Sequence, residues 1–207
     1  LFVAAPAVAL ALVPAASAVR VHVRVEGKTR TIFGPTAPLI EVTSPRANPL
    51  PENALDALMS AADVGEFFVH LATTSFGPYV DQIGRYPAAG QTGWVFKVNG
   101  VSPPVGADRV ALHDGDTVLW YWAQFGASGG PPTLVLSRLA KTNCYRVLAQ
   151  DDNGKLTAAA GAVLRVGSRR IVRTQGATQG AVGCVGAHRG LLVRATLTGD
   201  VRSNALP

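Results

Sequence analysis

Apolar and polar residues alternate without a break through Val19, Arg20, Val21, His22, Val23, Arg24 and Val25. That period predicts an antiparallel strand with one buried face, its valines turned to a core. Gly27 and Lys28 offer a turn into residues 30–33, and Pro35, Pro38, Pro45, Pro49 and Pro51 then punctuate an irregular stretch. Leu55, Leu58, Met59 and Ala62 recur at spacings of three and four, with prolines before them and Gly65 behind. One helix is expected there, over 52–64, ended by that glycine. Residues 67–73 return to strand-forming types. Gly93 to Gly100 put Trp94, Phe96 and Val98 on one face and close on Asn99-Gly100, a tight-turn signal. A second turn, His113-Asp114-Gly115-Asp116, leads into 117–123, where Val118, Trp120 and Trp122 share a face. Four or five strands crossed by one helix make a β-grasp type of domain. Past residue 132 come short apolar runs at 134–136, 145–149, 162–166, 171–172 and 191–197, separated by turn residues, as in a β-sandwich. The expected fold is therefore mainly β with one helix, an α+β domain followed by a small all-β sandwich.

Composition changes this picture at the N-terminus. Residues 1–18 carry no charge, are rich in Ala, Val and Leu, and finish in Ala16-Ser17-Ala18. That is the apolar core and cleavage site of a signal peptide, with its basic segment expected upstream of Leu1, so export to the cell envelope or medium is predicted. No later stretch reaches the roughly 20 apolar residues of a membrane span. Charge then separates two domains. Residues 19–130 hold eight Lys/Arg against ten Asp/Glu, whereas 131–207 hold eleven against three, so the net +6 belongs to the C-terminal part. Ala127 to Pro132, a run of small residues, Gly and Pro, reads as the linker between domains at 19–126 and 133–207.

Both cysteines, Cys144 and Cys184, lie in the basic part. In an exported chain such a pair predicts a disulfide, and no metal site is expected because close ligand spacing and neighbouring histidines are lacking. Ser44, Ser75 and Ser102 stand outside any nucleophile elbow, Asp114 and Asp116 flank a turn glycine, and no phosphate-binding or dinucleotide fingerprint occurs. The expectation is a protein that is not an enzyme. Tyr79, Tyr86, Trp94, Trp120, Tyr121, Trp122 and Phe125 concentrate in the first domain and are the candidate ligand-binding residues, because aromatic faces stack on flat molecules. Trp94 and Trp120 are weighed more as core, and Tyr79, Tyr86, Tyr121 and Phe125 as exposed surface. Arg165, Arg169, Arg170 and Arg173 form a basic cluster suited to a solvated face or to an anionic envelope polymer; a nucleic-acid partner is not expected.

The order of Gly93-Trp94, Val98-Asn99-Gly100, Gly106-Ala107 and Asp114-Gly115-Asp116 before an aromatic strand resembles the transcobalamin-like C-terminal domain family, as does the helix with Ala54-Leu55-Asp56-Ala57-Leu58. This resemblance covers about half of residues 19–207 and implies a β-grasp-like domain and cobalamin or another corrinoid as ligand. In transcobalamins such a domain closes over the corrinoid together with a large helical domain, and no such helical domain is expected within residues 19–207. The last part is similar to bacterial surface immunoglobulin-like domains in Asp152-Asn153-Gly154-Lys155 before Gly161-Ala162-Val163, and in Gly190 to Thr196. That implies a spacer or attachment role. Two functions follow: a small-molecule binding protein, or an adhesive surface protein whose partner is another surface protein.

Overall fold

The computed structural model describes residues 18–43, 52–126, 129–176 and 180–207. The predicted leader is outside this range except for Ala18, as are Pro45, Pro49, Pro51 and the linker residues Ala127 and Ser128. The first lobe contains β1 (Arg20–Glu26), β2 (Thr31–Phe33), β3 (Leu39–Glu41), helix α1 (Ala54–Gly65), β4 (Val69–Thr74), β5 (Gly77–Ile83), β6 (Tyr86–Pro87), β7 (Thr92–Val98) and β8 (Thr117–Gln124). The second contains β9 (Thr133–Arg138), β10 (Cys144–Gln150), β11 (Leu156–Ala158), β12 (Val163–Val166), β13 (Arg169–Arg173), β14 (Ala181–Cys184), β15 (Val193–Thr196) and β16 (Ala205–Leu206). The protein is thus mainly β with one α-helix among the described residues.

In the main sheet β2, β1, β8 and β7 lie side by side, and β3 joins β1. The alternation in β1 buries Val21, Val23 and Val25 completely, against Leu58, Ala61 and Trp120 of the helix-side core. Its antiparallel setting is corrected in part. β1 pairs antiparallel with β2 and β3 but parallel with β8, which the long crossover through α1 and the intervening hairpins permits. The helix begins at Asn53, whose side chain accepts from the Leu55 and Asp56 amides while the Asp56 carboxylate accepts from the Asn53 amide. This reciprocal cap satisfies amides that a helix start leaves open. The expected terminating glycine does something else: Gly65 is still helical, and Glu66 takes the left-handed cap at φ 50°. A Cβ on Gly65 would lie 2.5 Å from the Phe33 ring, so close helix–sheet packing is what requires glycine there.

The two turns singled out in the sequence dock on each other. Asn99 donates to Asp116 at 2.7 Å and accepts from the Thr117 amide, while Asp116 also accepts from the His113 amide. The aspartates of this turn are structural, as Asp114 accepts from the Arg20 amide. Gly100, at φ 84°, lies against the second lobe, where a Cβ would fall 2.2 Å from the Gln150 amide group.

The second lobe packs a sheet of β9, β10, β11 and β14 on a sheet of β12, β13, β15 and β16. Leu134, Tyr145 and Val147 of one meet Leu164, Val193 and Ala195 of the other. Cys144 and Cys184 form the predicted disulfide at facing positions of neighbouring strands β10 and β14, rather than from sheet to sheet as in antibody domains. Reducing it is expected to lower the unfolding free energy by about 2–4 kcal/mol, because the open chain regains entropy. Urea unfolding with and without dithiothreitol measures this; unchanged midpoints would show the bridge to be energetically silent.

The main sheet's second face, polar in sequence, is covered by the second lobe. Arg24, Glu26 and Lys97 are at most 6 % exposed. Lys97 Nζ donates to Thr133 Oγ1 and to the carbonyls of Gln150 and Asp151 at 2.8–3.2 Å. Glu26 accepts from Thr31 and from Arg202 at 3.0 Å, and Arg24 lies 3.5 Å away. Leu119, Tyr121 and Ala123 close the apolar part of this junction against Val201.

Candidate functional site

A pocket of about 270 Å³ opens where the edge of the main sheet meets the second lobe. Its wall is built from β5 (Tyr79, Val80), β7 (Trp94, Val95, Phe96) and β8 (Trp120, Tyr121), with Leu55 of α1 behind them. Ser102, Pro103 and Phe125 line its rim, and the second lobe contributes Asp152. The apolar character of this lining follows from strand alternation. Trp94 and Phe96 pair across the ladder with Trp122 and Trp120 on the helix side, and the Phe96 and Trp120 rings stack at 5.0 Å. Tyr121, opposite Val95, belongs to the other face.

Five of the seven candidate aromatics therefore converge here: Tyr79, Trp94, Trp120, Tyr121 and Phe125. Tyr86 and Trp122 do not line this pocket. They pack with Trp94 at ring separations of 5.6–6.5 Å, and the Tyr86 hydroxyl is bound to Thr29 at 2.7 Å. Trp94 and Trp120 are core residues, whereas Tyr79 and Phe125 are exposed. Tyr121 is not the exposed residue its sequence suggests. It is 1 % exposed, because the second lobe covers its face of the sheet.

The polar end of the pocket was not foreseen. Asp152 Oδ1 lies 3.2 Å from Ser102 Oγ, 3.4 Å from Tyr121 Oη and 3.5 Å from Lys97 Nζ. Burial pushes the Tyr121 phenol well above its ordinary range, and the Asp152 charge adds to this, so it stays a neutral donor. Burial draws the Lys97 ammonium down while Asp152 opposes the shift. The carboxylate and ammonium offset one another. Asp152 Oδ2 accepts no hydrogen bond among the described residues and lies beside Gly129 and Gly130. The arrangement presents an apolar slot with one side-chain acceptor, Asp152, at its end. Asp152 stands in an Asp-Asn-Gly segment whose sequence signals only a turn; Phe96 could have been found, since it shares a face with Trp94.

The basic cluster is split by the sheet. Arg165 faces Arg194 on β15 and Arg170 on β13, while Arg169 pairs with Val166 and Arg173 with Val163. Beside this row, Arg165, Arg194 and Arg202 line a larger cavity of about 670 Å³ between the lobes, with Thr29, Thr31, Asp200 and apolar residues such as Ile32 and Leu192. Burial lowers the Arg194 pKa, Glu26 opposes this, and the nearby Arg202 charge lowers it further. Among the described residues, no group of three or more His, Cys, Asp or Glu could hold a metal ion, and no helix is long and apolar enough to cross a membrane.

A sheet with a parallel central pair and one covering helix defines a β-grasp-like class, here with a β-sandwich docked on it. Residues 52–124 match a family described as a domain of unknown function, DUF4430. That span runs from α1 to β8 and holds the motifs of the transcobalamin-like resemblance, but omits β1. A crystal structure from Ruminococcus gnavus ATCC 29149, titled a "putative metal binding protein", aligns at 15% identity and a TM-score of 0.38, over 52% of this chain and 99% of that one. No curated protein matches the chain.

Proposed function

We propose that this chain is an exported binding protein that holds, without transforming it, an apolar group of a ligand in the pocket between β5, β7 and Asp152. The observation that carries this is the convergence of five aromatic rings and the Asp152–Tyr121–Ser102 cluster on one opening. An apolar slot with few, well-placed polar groups is how small-molecule sites are built. The disulfide and the apolar leader support export, since such bridges persist in oxidising compartments. A corrinoid, far larger than 270 Å³, would seat only its rim here, with the remainder over Tyr79 and Phe125.

Calorimetric titration of the oxidised protein with cobinamide, cobalamin and toluene tests the reading. Saturable binding of at least one is expected, weakened about 5- to 10-fold by Phe125→Ala, as the loss of one aromatic contact implies. Absence of heat for all three at near-millimolar concentration would reject a small-molecule site in this pocket. Heat for toluene alone would reject corrinoids.

One observation favours a second role, attachment to an anionic envelope polymer. Arg165 and Arg170 face each other across adjacent strands, a placement that destabilises a sheet unless a counter-charge comes from elsewhere. Retention on dextran sulfate should fall for Arg165→Gln and for Arg170→Gln, and should vanish by roughly 0.5 M salt through screening. Retention unaffected by either substitution would make this a merely solvated face.

A further inference from the structure

The outer edge of β7 has a hydrogen-bonding pattern that specifies what the pocket ligand must present. β7 ends the main sheet, pairing with β8 on one side and, among the described residues, with no strand on the other. Odd-numbered residues bond inward: Asn99 donates to Thr117 at 2.9 Å, and Gln91 accepts from Phe125 at 2.8 Å. Even-numbered residues therefore turn their amides and carbonyls outward. At one end Thr92 exchanges both bonds with Ala89, at the other Val98 exchanges both with Val101, and each pair is 2.9–3.0 Å apart. Two turns thus cap the edge and leave a window of two outward residues, Trp94 and Phe96. Both of them line the pocket.

The window offers two N–H groups and two carbonyls, one of each per residue, repeating every second residue at about 6.6–6.8 Å. A planar hydrocarbon leaves such groups unpaired; another strand pairs all four. Proteins ordinarily guard open edges with proline, bulges or inward-pointing charges. Here only the ends are guarded, which limits pairing to a short segment and prevents indefinite sheet growth. We propose that the ligand is an extended peptide segment that adds as a strand to β7 at Trp94 and Phe96, with alternate apolar side chains entering the pocket. This rests on the pocket being the ligand site and names the chemical class that the site takes.

The test uses the oxidised protein and the blocked pentapeptide Ac-Ala-Val-Phe-Val-Ala-NH2. Two ester twins accompany it: one replaces the amide N–H of both valines with oxygen, the other that of the phenylalanine and the last alanine. Toluene serves as a pocket probe without a backbone. An extended peptide bonds along one edge at a time, so one twin should bind at least about tenfold more weakly than the parent and the other within about threefold. Hydrogen exchange of the Trp94 and Phe96 amides should slow at least about tenfold on saturation, with Lys97 unchanged. Equal binding by parent and both twins, equal weakening of both twins, or saturation by toluene without the peptide would each overturn strand addition while leaving the pocket standing. No binding of peptide or toluene would overturn the pocket reading as well. The parent protein is used throughout, so no outcome depends on whether a variant folds.

Discussion

Replacing Glu26 by alanine is expected to lower the unfolding free energy by about 3–5 kcal/mol, the cost of breaking a buried ion pair by removing one partner. The Glu26 side chain is wholly buried and lies 3.0 Å from Arg202 and 3.5 Å from Arg24. Arg194 reaches the same cluster through Thr31, so three guanidinium groups surround one carboxylate. Burial already brings the Arg24 pKa down to about 10, with Glu26 opposing and Arg194 and Arg202 adding to the shift. Without Glu26 these cations would repel one another with no carboxylate between them. At 2–4 °C per kcal/mol for a chain of this size, the melting temperature should fall by roughly 10 °C. Glu26→Met combined with Arg24→Met and Arg202→Met should recover much of the loss, because exchanging a whole buried ion group for apolar residues is often near neutral. A loss below about 1 kcal/mol for Glu26→Ala would mean that the cluster is solvated, as exposed pairs are.

Tyr121→Ala should cost a similar amount, about 3–5 kcal/mol, as removal of a large buried aromatic does. The ring packs with Leu119, Ala123 and Val201, and Lys97 Nζ lies 5.8 Å from its centroid. Tyr121→Phe keeps the packing and gives up only the hydroxyl near Asp152, so about 1 kcal/mol is expected. The alanine variant should also separate the lobes thermally, turning one calorimetric transition into two. A single transition at the parent temperature would show that the junction does not couple them. Tyr121→Ala is consequently a poor binding test, because it damages the junction as well as the pocket. Phe125, at the exposed rim, avoids that problem.

Most of the local structure was legible. The valines of β1, the face shared by Trp94, Phe96 and Val98, that shared by Val118, Trp120 and Trp122, and the two turns at Asn99-Gly100 and Asp114-Gly115-Asp116 each follow from residues a few positions apart. Several short strands were missed. β6 has two residues and β16 two, too few for alternation to register, and β5 begins Gly77-Pro78, which reads as a turn. Gly65 was assigned to its helix end for the right residue type but the wrong reason, since its contact with Phe33 joins segments far apart in sequence.

The candidate site was half legible. Aromatic content marked the first domain, but not which rings meet. Tyr86 and Trp122 belong to a neighbouring cluster because they pack on Trp94 instead of facing the opening. Nothing near Asp152 in the chain indicates that its carboxylate stands beside Ser102 and Tyr121, 50 and 31 residues earlier.

Sequence by itself determined which residues share a strand face, where one helix starts and which turns are tight, because each depends on spacing within a few residues; the disulfide followed instead from there being two cysteines to pair. Tertiary structure decided what lies against each face. Arg24, Glu26 and Lys97 alternate as a solvated row would, yet the second lobe covers them, and their charges and hydrogen bonds are met by Arg202, Gln150 and Asp151. Alternation records only that two faces differ. The partner of the polar face comes from a surface more than 35 residues away along the chain, and local pattern has no means of encoding that contact.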